Sequence, residues 1–135
     1  MKPSPAPLTP EGLRQGEDGY YYKFHEEKKD WHAAQCSCRG EGGNLAIIYD
    51  QQTSDVVRCF MDKGWIGVTD QWDEGKWQTP THGNISYSFW SAGEPNNFRG
   101  QQDCAYQQSN TRWIDAKCGS QLPFICQFTS GTVVQ

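Results

Sequence analysis

The chain has 135 residues, a length that suits one domain with a single hydrophobic core. Its formal net charge is −4, and no stripe of Lys and Arg runs among its aromatic residues, so we expect no binding to nucleic acid. No apolar run approaches the ~20 residues that a helix needs to cross a bilayer, and none resembles a signal-peptide core. We therefore expect a mature fragment that does not itself insert into a membrane.

Six cysteines are a large number for a chain of this length. Small extracellular domains are commonly held together by disulfides, whereas cytosolic thiols stay reduced. The cysteine content therefore favours a secreted protein or the ectodomain of a membrane receptor over a cytosolic protein.

The composition divides the chain into three parts. Residues 1–18 are rich in proline and have little to bury, which predicts an extended arm or linker. Residues 19–128 form the predicted domain, and residues 129–135 form a short tail.

The first predicted elements are a strand and a helix. The aromatic run at residues 20–24 is typical of a strand. A short amphipathic helix follows, which Gly40 and the Gly42-Gly43 pair should end. Its apolar face is predicted from the spacing i, i+3, i+4 and i+7 of Trp31, Ala34, Gln35 and Cys38.

Two buried strands flank a second helix. Residues 44–48 read as the first strand, and Asp50 is a suitable N-cap for a helix that runs to about Asp62. The inward positions of this helix are Val56, Val57 and Phe60. Residues 65–69 form the next strand, in which Gly67 allows close approach of another backbone.

The amino-acid composition changes after Thr69. Residues 70–97 are rich in Gly, Pro, Asp, Asn and Ser, with isolated aromatics, and a loop of that length is usually functional. Short strands return at residues 104–106 and 123–128. Strands and helices in separate runs predict an α+β domain.

Several motifs occur in an order that is typical of one family. They are Trp31-x-x-Ala34-x-x-x-Cys38, Gly43-x-Leu45, Trp65-Ile66-Gly67-Val68, Glu74-Gly75-x-Trp77, Glu94-Pro95-Asn96, Trp113-x-Asp115 and the terminal cysteines. Over about residues 19–128 the chain resembles the C-type lectin domain. The resemblance implies two helices, two small antiparallel sheets, a long ligand-binding loop region, and the disulfides Cys38–Cys126 and Cys104–Cys118.

Two cysteines are left over by that resemblance. Cys36 and Cys59 both lie on predicted helices, so a bridge between the helices is one interpretation. At about 100° per residue, however, Cys36 lies almost opposite the core face of its helix. It could then link two chains into a disulfide-linked dimer, or remain a free thiol, and the sequence leaves these alternatives open.

The resemblance also implies a calcium site that binds sugar. Its ligands here would be Glu94, Asn96, Gln102 and Asp115, with Gln102 standing where the family usually has Glu. Ile114 replaces the Asn of the usual Trp-Asn-Asp motif and offers no side-chain ligand. Calcium requires about six to eight oxygen ligands, so we expect Ca²⁺ as a cofactor, held more weakly than in the family pattern.

In such a site, vicinal sugar hydroxyls complete the coordination sphere of the ion. The Glu-Pro-Asn form favours mannose-type sugars over galactose. Phe98 and Trp72 are candidates for stacking on the sugar, or are packing residues. A second calcium position is suggested by Asp70, Glu74 and Asp103, whose alternative role is to shape the turn.

A carbohydrate-binding role has one main competitor. Because of Ile114 and Gln102, the domain could instead have kept the fold, lost calcium, and bound a protein partner or an ice surface. In either case we expect no enzyme, since no nucleophile–base pair or phosphate-binding glycine loop is present. The expected partners are carbohydrates or glycoprotein glycans, with a homo-oligomer as a further expectation.

Asn84-Ile85-Ser86 is a glycosylation sequon.

Overall fold

The computed structural model describes residues 14–16, 19–72, 76–81, 83–91 and 103–129. Two helices pack on a seven-stranded sheet. The helices are α1 (Trp31–Gly40) and α2 (Gln51–Phe60). The strands are β1 (Arg14–Gln15), β2 (Tyr21–Lys29), β3 (Asn44–Leu45), β4 (Gly64–Thr69), β5 (Cys104–Gln107), β6 (Trp113–Ala116) and β7 (Leu122–Phe128).

The sheet consists of two antiparallel groups. One contains β1, β2, β7 and β3, and the other contains β4, β5 and β6. A parallel contact between β4 and β7, at Trp65 and Phe124, joins them into one mixed sheet. The predicted fold class is confirmed, and the two small sheets of the prediction are continuous at this point.

Both helices begin at an aspartate. The carboxylate of Asp30 accepts a hydrogen bond from the Ala33 amide at 2.7 Å, and that of Asp50 accepts one from the Thr53 amide at 2.9 Å. Each bond satisfies an amide that has no partner within the helix, which fixes where the helix starts. The predicted Asp50 cap is confirmed, and α2 ends two residues before the predicted Asp62.

The segment after α1 differs from its prediction. The sequence predicts one strand over residues 44–48, but only Asn44 and Leu45 pair in the ladder. Beyond them, the Ala46 amide donates to Ile125 O, and Ala46 O accepts from the Gly67 amide. The segment therefore bonds alternately to β7 and β4, which satisfies its buried backbone without a regular strand.

Two other strands differ from the expectation. The strand predicted at residues 20–24 extends to Lys29, and β6 is a strand that the sequence does not predict. In addition, Arg14 and Gln15, which fall within the predicted arm, pair with Tyr22 and Tyr21. The domain limits at residues 18 and 128 remain predictions.

Three buried tryptophans form much of the core. Trp31, Trp65 and Trp113 are each almost completely inaccessible to solvent. The Trp31 indole N–H donates to Ile66 O at 3.0 Å, and that of Trp65 donates to Lys29 O at 2.9 Å. These bonds offset the cost of burying a polar N–H, so the rings contribute packing and also fix α1 and β2 relative to β4.

The disulfides join the same pairs that the resemblance implies. Cys38–Cys126 ties α1 to β7, and Cys104–Cys118 ties β5 to the turn after β6. With 88 and 14 residues of sequence separation, the loop-entropy model gives about 4–5 and about 3 kcal/mol of stabilisation.

The remaining two cysteines are free. Cys36 is exposed and Cys59 is partly buried, so the structure does not contain the Cys36–Cys59 bridge that the sequence leaves open. The reason is geometric, because α1 buries Trp31, Ala34 and Cys38 and turns Cys36 outward, whereas α2 packs against β2.

Among the described helices, none is long and apolar enough to span a membrane.

Gly67 lies where β4 meets the segment after β3. A Cβ at this position would lie 2.7 Å from Leu45 O and 2.9 Å from Pro80 Cδ. We therefore expect Gly67→Ala to lower the free energy of unfolding in urea by about 1–3 kcal/mol, because the two backbones would have to separate.

Gly119→Ala is the matched control. An added Cβ there meets no atom within 4 Å, so its unfolding free energy should stay within about 0.5 kcal/mol of the wild type. If Gly67→Ala proved as stable as this control, the close approach of the two segments would be wrong.

Candidate functional site

Of the four predicted ligands of the principal site, Asp115 is the one that lies within the described residues. It lies on β6 opposite Ala105 of β5, and only 1% of its surface is exposed. Trp113 precedes it on the same strand and is completely buried. Ile114 lies between them and is half-buried. The Asp115 carboxylate is therefore held on a strand rather than on a loop.

Asp70 and Asp103, two residues of the predicted second calcium position, are neighbours. The Asp70 amide donates to Asp103 O at 2.9 Å, and the Thr69 hydroxyl donates to the same carbonyl at 2.6 Å. Asp70 is 2% exposed, and Asp103 is half-buried. The end of β4 and the start of β5 thus hold two acidic residues side by side.

Strand register brings the three aspartates to one end of the sheet. Thr69 pairs with Cys104, and Cys104 pairs with Ala116, so the end of β4, the start of β5 and the end of β6 coincide. We call this group, Asp70, Asp103 and Asp115, the acidic end. The backbones of three acidic residues therefore converge at this end of the sheet.

The other predicted ligands lie outside the described residues. Glu94, Asn96 and Gln102 of the principal site, Glu74 of the second position, and the stacking candidate Phe98 belong to this group. The described residues on either side of 92–102 are anchored. The Ser91 amide donates to Trp113 O at 2.9 Å, and Asp103 is held as described above.

Aromatic side chains in the described part of the long loop pack against one another and against the core. Trp77 and Trp90 have ring centroids 4.7 Å apart, and Trp90 meets Trp113 edge-on at 5.4 Å. Thr69 and Gln78 exchange two backbone hydrogen bonds of 2.9 and 2.7 Å. Thr69 therefore anchors both the loop and the acidic end.

Trp72 is the described stacking candidate. It follows Asp70 by two residues, 42% of its surface is exposed, and its ring meets Trp31 edge-on at 6.3 Å. The packing contact and the exposed surface are both present, so Trp72 is a supported aromatic that still faces solvent near the acidic end.

Among the described residues, one group of three brings metal-ligand atoms within 4.8 Å of one another: His25, Glu41 and Cys126. Cys126 is bonded to Cys38. Glu41 pairs with Lys23 at 2.6 Å and with His25 at 2.7 Å. Glu41 is thus engaged by an ion pair and Cys126 by a disulfide, and the aspartates of the acidic end do not by themselves form a comparable group.

The family model described as the lectin C-type domain matches residues 27–128. Hepatic lectin of Gallus gallus is 33% identical over 114 residues, which cover 82% of this chain and 55% of that protein. The chain thus spans about half the length of this relative.

Two further proteins are matched over a larger share of their own length. The C-type lectin lectoxin-Lio1 of Erythrolamprus poecilogyrus is 35% identical over 121 residues, covering 82% of this chain and 74% of that protein. The cow CD23 carbohydrate-recognition domain, crystallised in the presence of a GlcNAc2Man3 oligosaccharide, superposes with a TM-score of 0.80 at 26% identity. That superposition covers 95% of this chain and 98% of the CD23 chain.

Proposed function

The chain belongs to the C-type lectin family, and from this we propose that it binds sugar outside the cell through a bridging calcium ion. Its relatives are lectins rather than enzymes, which supports a binding role. Calcium bridging and a preference for mannose-type sugars are the finer parts of the proposal.

The acidic end is the observation that carries the calcium proposal. Asp70 and Asp115 are almost fully buried carboxylates, and Asp103 lies beside Asp70. Carboxylate oxygens are hard ligands of the kind that calcium takes in proteins. The donor set therefore fits calcium.

Four side chains would hold the principal ion. Glu94 and Asp115 supply carboxylates, while Asn96 and Gln102 supply amide carbonyls. Bound calcium would accept two sugar hydroxyls as ligands. Each hydroxyl can also donate to a carboxylate and accept from an amide N–H, which explains why acids and amides occur together.

A second ion would use Asp70, Glu74 and Asp103. The hydrogen bond between the Asp70 amide and Asp103 O supports their acting together. A cation there would hold the start and the end of the long loop together, and so would position the principal ligands.

The choice of sugar rests on the Glu94-Pro95-Asn96 motif, which favours mannose-type sugars. Phe98 and Trp72 are the aromatic candidates for contact with the sugar, and Trp72 has exposed surface for it. The GlcNAc2Man3 oligosaccharide with which the CD23 domain was crystallised contains mannose, which is compatible with this proposal.

The competing function is calcium-independent binding of a protein partner. Ile114 favours it, because this position next to Asp115 carries no ligand oxygen. The two functions differ in one measurable property, which is whether binding needs calcium.

The extracellular location is supported by the two disulfides, which persist in oxidising compartments. Single sugar sites on solvated surfaces bind weakly, so effective binding requires several copies. The exposed Cys36 thiol would provide a covalent link between two chains. We therefore include a disulfide-linked dimer in the proposal.

Calcium should raise the thermal midpoint, because it binds the native state only. At tenfold excess over its dissociation constant, the stabilisation would be about 1.4 kcal/mol, a shift of about 4–6 °C. Retention on mannose resin should also require calcium and be lost on chelation. Asp115→Asn, which keeps the side-chain volume, should remove the retention and reduce the shift to what the second ion contributes.

Asp62→Asn is the control for this charge change, since Asp62 is exposed and lies at the other end of β4. It should behave like the wild type in both assays. Retention that persists after chelation would contradict calcium bridging and favour the competing function.

Ile114→Asn should strengthen sugar binding. It adds a ligand oxygen and an amide donor beside Asp115, and a hydrogen bond of about 1 kcal/mol corresponds to about a fivefold gain in affinity. Calorimetric titration with a mannose-type sugar measures this gain. Ile114→Ala, which removes the apolar side chain without adding oxygen, should show no gain, and equal effects of the two changes would contradict a role as ligand.

Cys36→Ser should abolish the proposed covalent dimer. On non-reducing electrophoresis, the wild type should run as a dimer and Cys36→Ser as a monomer. Cys59→Ser should keep the dimer, because Cys59 is partly buried. A wild type that runs as a monomer would remove the dimer from the proposal.

A further inference from the structure

The segment Asn84-Ile85-Ser86 presents two polar residues to solvent. Asn84 and Ser86 are exposed, while Ile85 between them is half-buried and packs against the core. Asn84 forms an isolated bridge with Gln78, and the Ile85 amide donates to Trp77 O at 3.3 Å. The side chains of Asn84 and Ser86 are therefore both accessible to solvent, while Ile85 faces the core.

An exposed aromatic ring lies beside this segment. Tyr49 is 41% exposed, and its ring stacks on Tyr20 at 5.4 Å with an interplanar angle of 17°. Tyr49 lines the same small pocket as Asn84 and Ser86, with a volume of about 50 Å³. Partial burial, with a smaller contribution from Tyr20, raises the pKa of Tyr49 above its ordinary value.

We propose that Asn84 carries an N-linked glycan and that its first N-acetylglucosamine packs on the exposed part of Tyr49. A tyrosine ring suits this role because it is apolar on its faces and polar at its tip, as a sugar ring is apolar on one face. The pocket is too small for a whole sugar, so it would take only an edge, and the rest of the glycan would extend into solvent.

The molecule that we place on this surface is a glycan, because Asn84, its attachment point, lies beside Tyr49. A glycan on Asn84 is held beside Tyr49 by a covalent bond, so its effective concentration there is high without any affinity of its own. The contact would cover part of the Tyr49 ring that is otherwise exposed, and exposed aromatic surface is prone to association. This role does not depend on calcium or on the proposed sugar site.

The modification is a group transfer from a lipid-diphosphate-linked oligosaccharide. A bond forms between Asn84 Nδ2 and C1 of the first N-acetylglucosamine, and the bond between that carbon and the diphosphate oxygen breaks. The amide gives up one proton, and the lipid diphosphate leaves. No oxidant or reductant is required.

Occupancy is tested by secreting the full chain from cultured eukaryotic cells. The wild type and Ser86→Thr, which keeps the sequon, should migrate as larger species than Ser86→Ala, which destroys it. An amidase that removes N-glycans should bring the first two to the mobility of the third. Wild type that already migrates with Ser86→Ala would overturn the proposal.

The contact with Tyr49 is tested on a glycoform trimmed to one N-acetylglucosamine. Its thermal midpoint should exceed that of Ser86→Ala by about 2–4 °C, because the first sugar makes the contact. The same difference should persist in the Tyr49→Phe background, which keeps the ring, and vanish in the Tyr49→Ala background. A difference that is equal in all three backgrounds would overturn the role of Tyr49, as would no difference in any of them.

Discussion

The meeting of β4 and β7 at Trp65 and Phe124 is the contact on which the rest of the structure depends. It joins two antiparallel groups that would otherwise be separate small sheets. The Gly67 amide reinforces the junction by donating to Ala46 O, and Ala46 in turn donates to Ile125 O of β7. Cys38–Cys126 then fixes α1 to the same strand.

That junction also determines where the acidic end lies. β4 meets β7 at Trp65 and ends at Thr69, whose backbone and hydroxyl hold Gln78 and Asp103. The loop and the candidate site are therefore attached to the last residue of a completely buried strand. A site made from loops can be reproducible only if its attachment points are rigid, and here the core provides them.

Elements with strong local signals are predictable from the sequence, and elements set by long-range contacts are not. The Asp50 cap, the core face of α1 and the burial of β4 follow from spacing and side-chain type, and the structure has each of them. β6 is four residues long and is a strand because β5 pairs with it, which no local pattern reports. For the candidate site, the sequence identifies the types of ligand. The convergence of Asp70, Asp103 and Asp115 comes instead from strand register.

This convergence links the stability of the domain to its proposed function. Buried carboxylates lose hydration, so a calcium ion that bound to them, as proposed, would also stabilise the folded state. The disulfide Cys104–Cys118 and the packing of Trp113 against Trp90 lie next to these residues and stabilise the same end independently. Because these covalent and aromatic contacts hold the frame, an apolar residue such as Ile114 at a proposed ligand position is compatible with the fold. The ion would then act on the ligand-binding loops more than on the core.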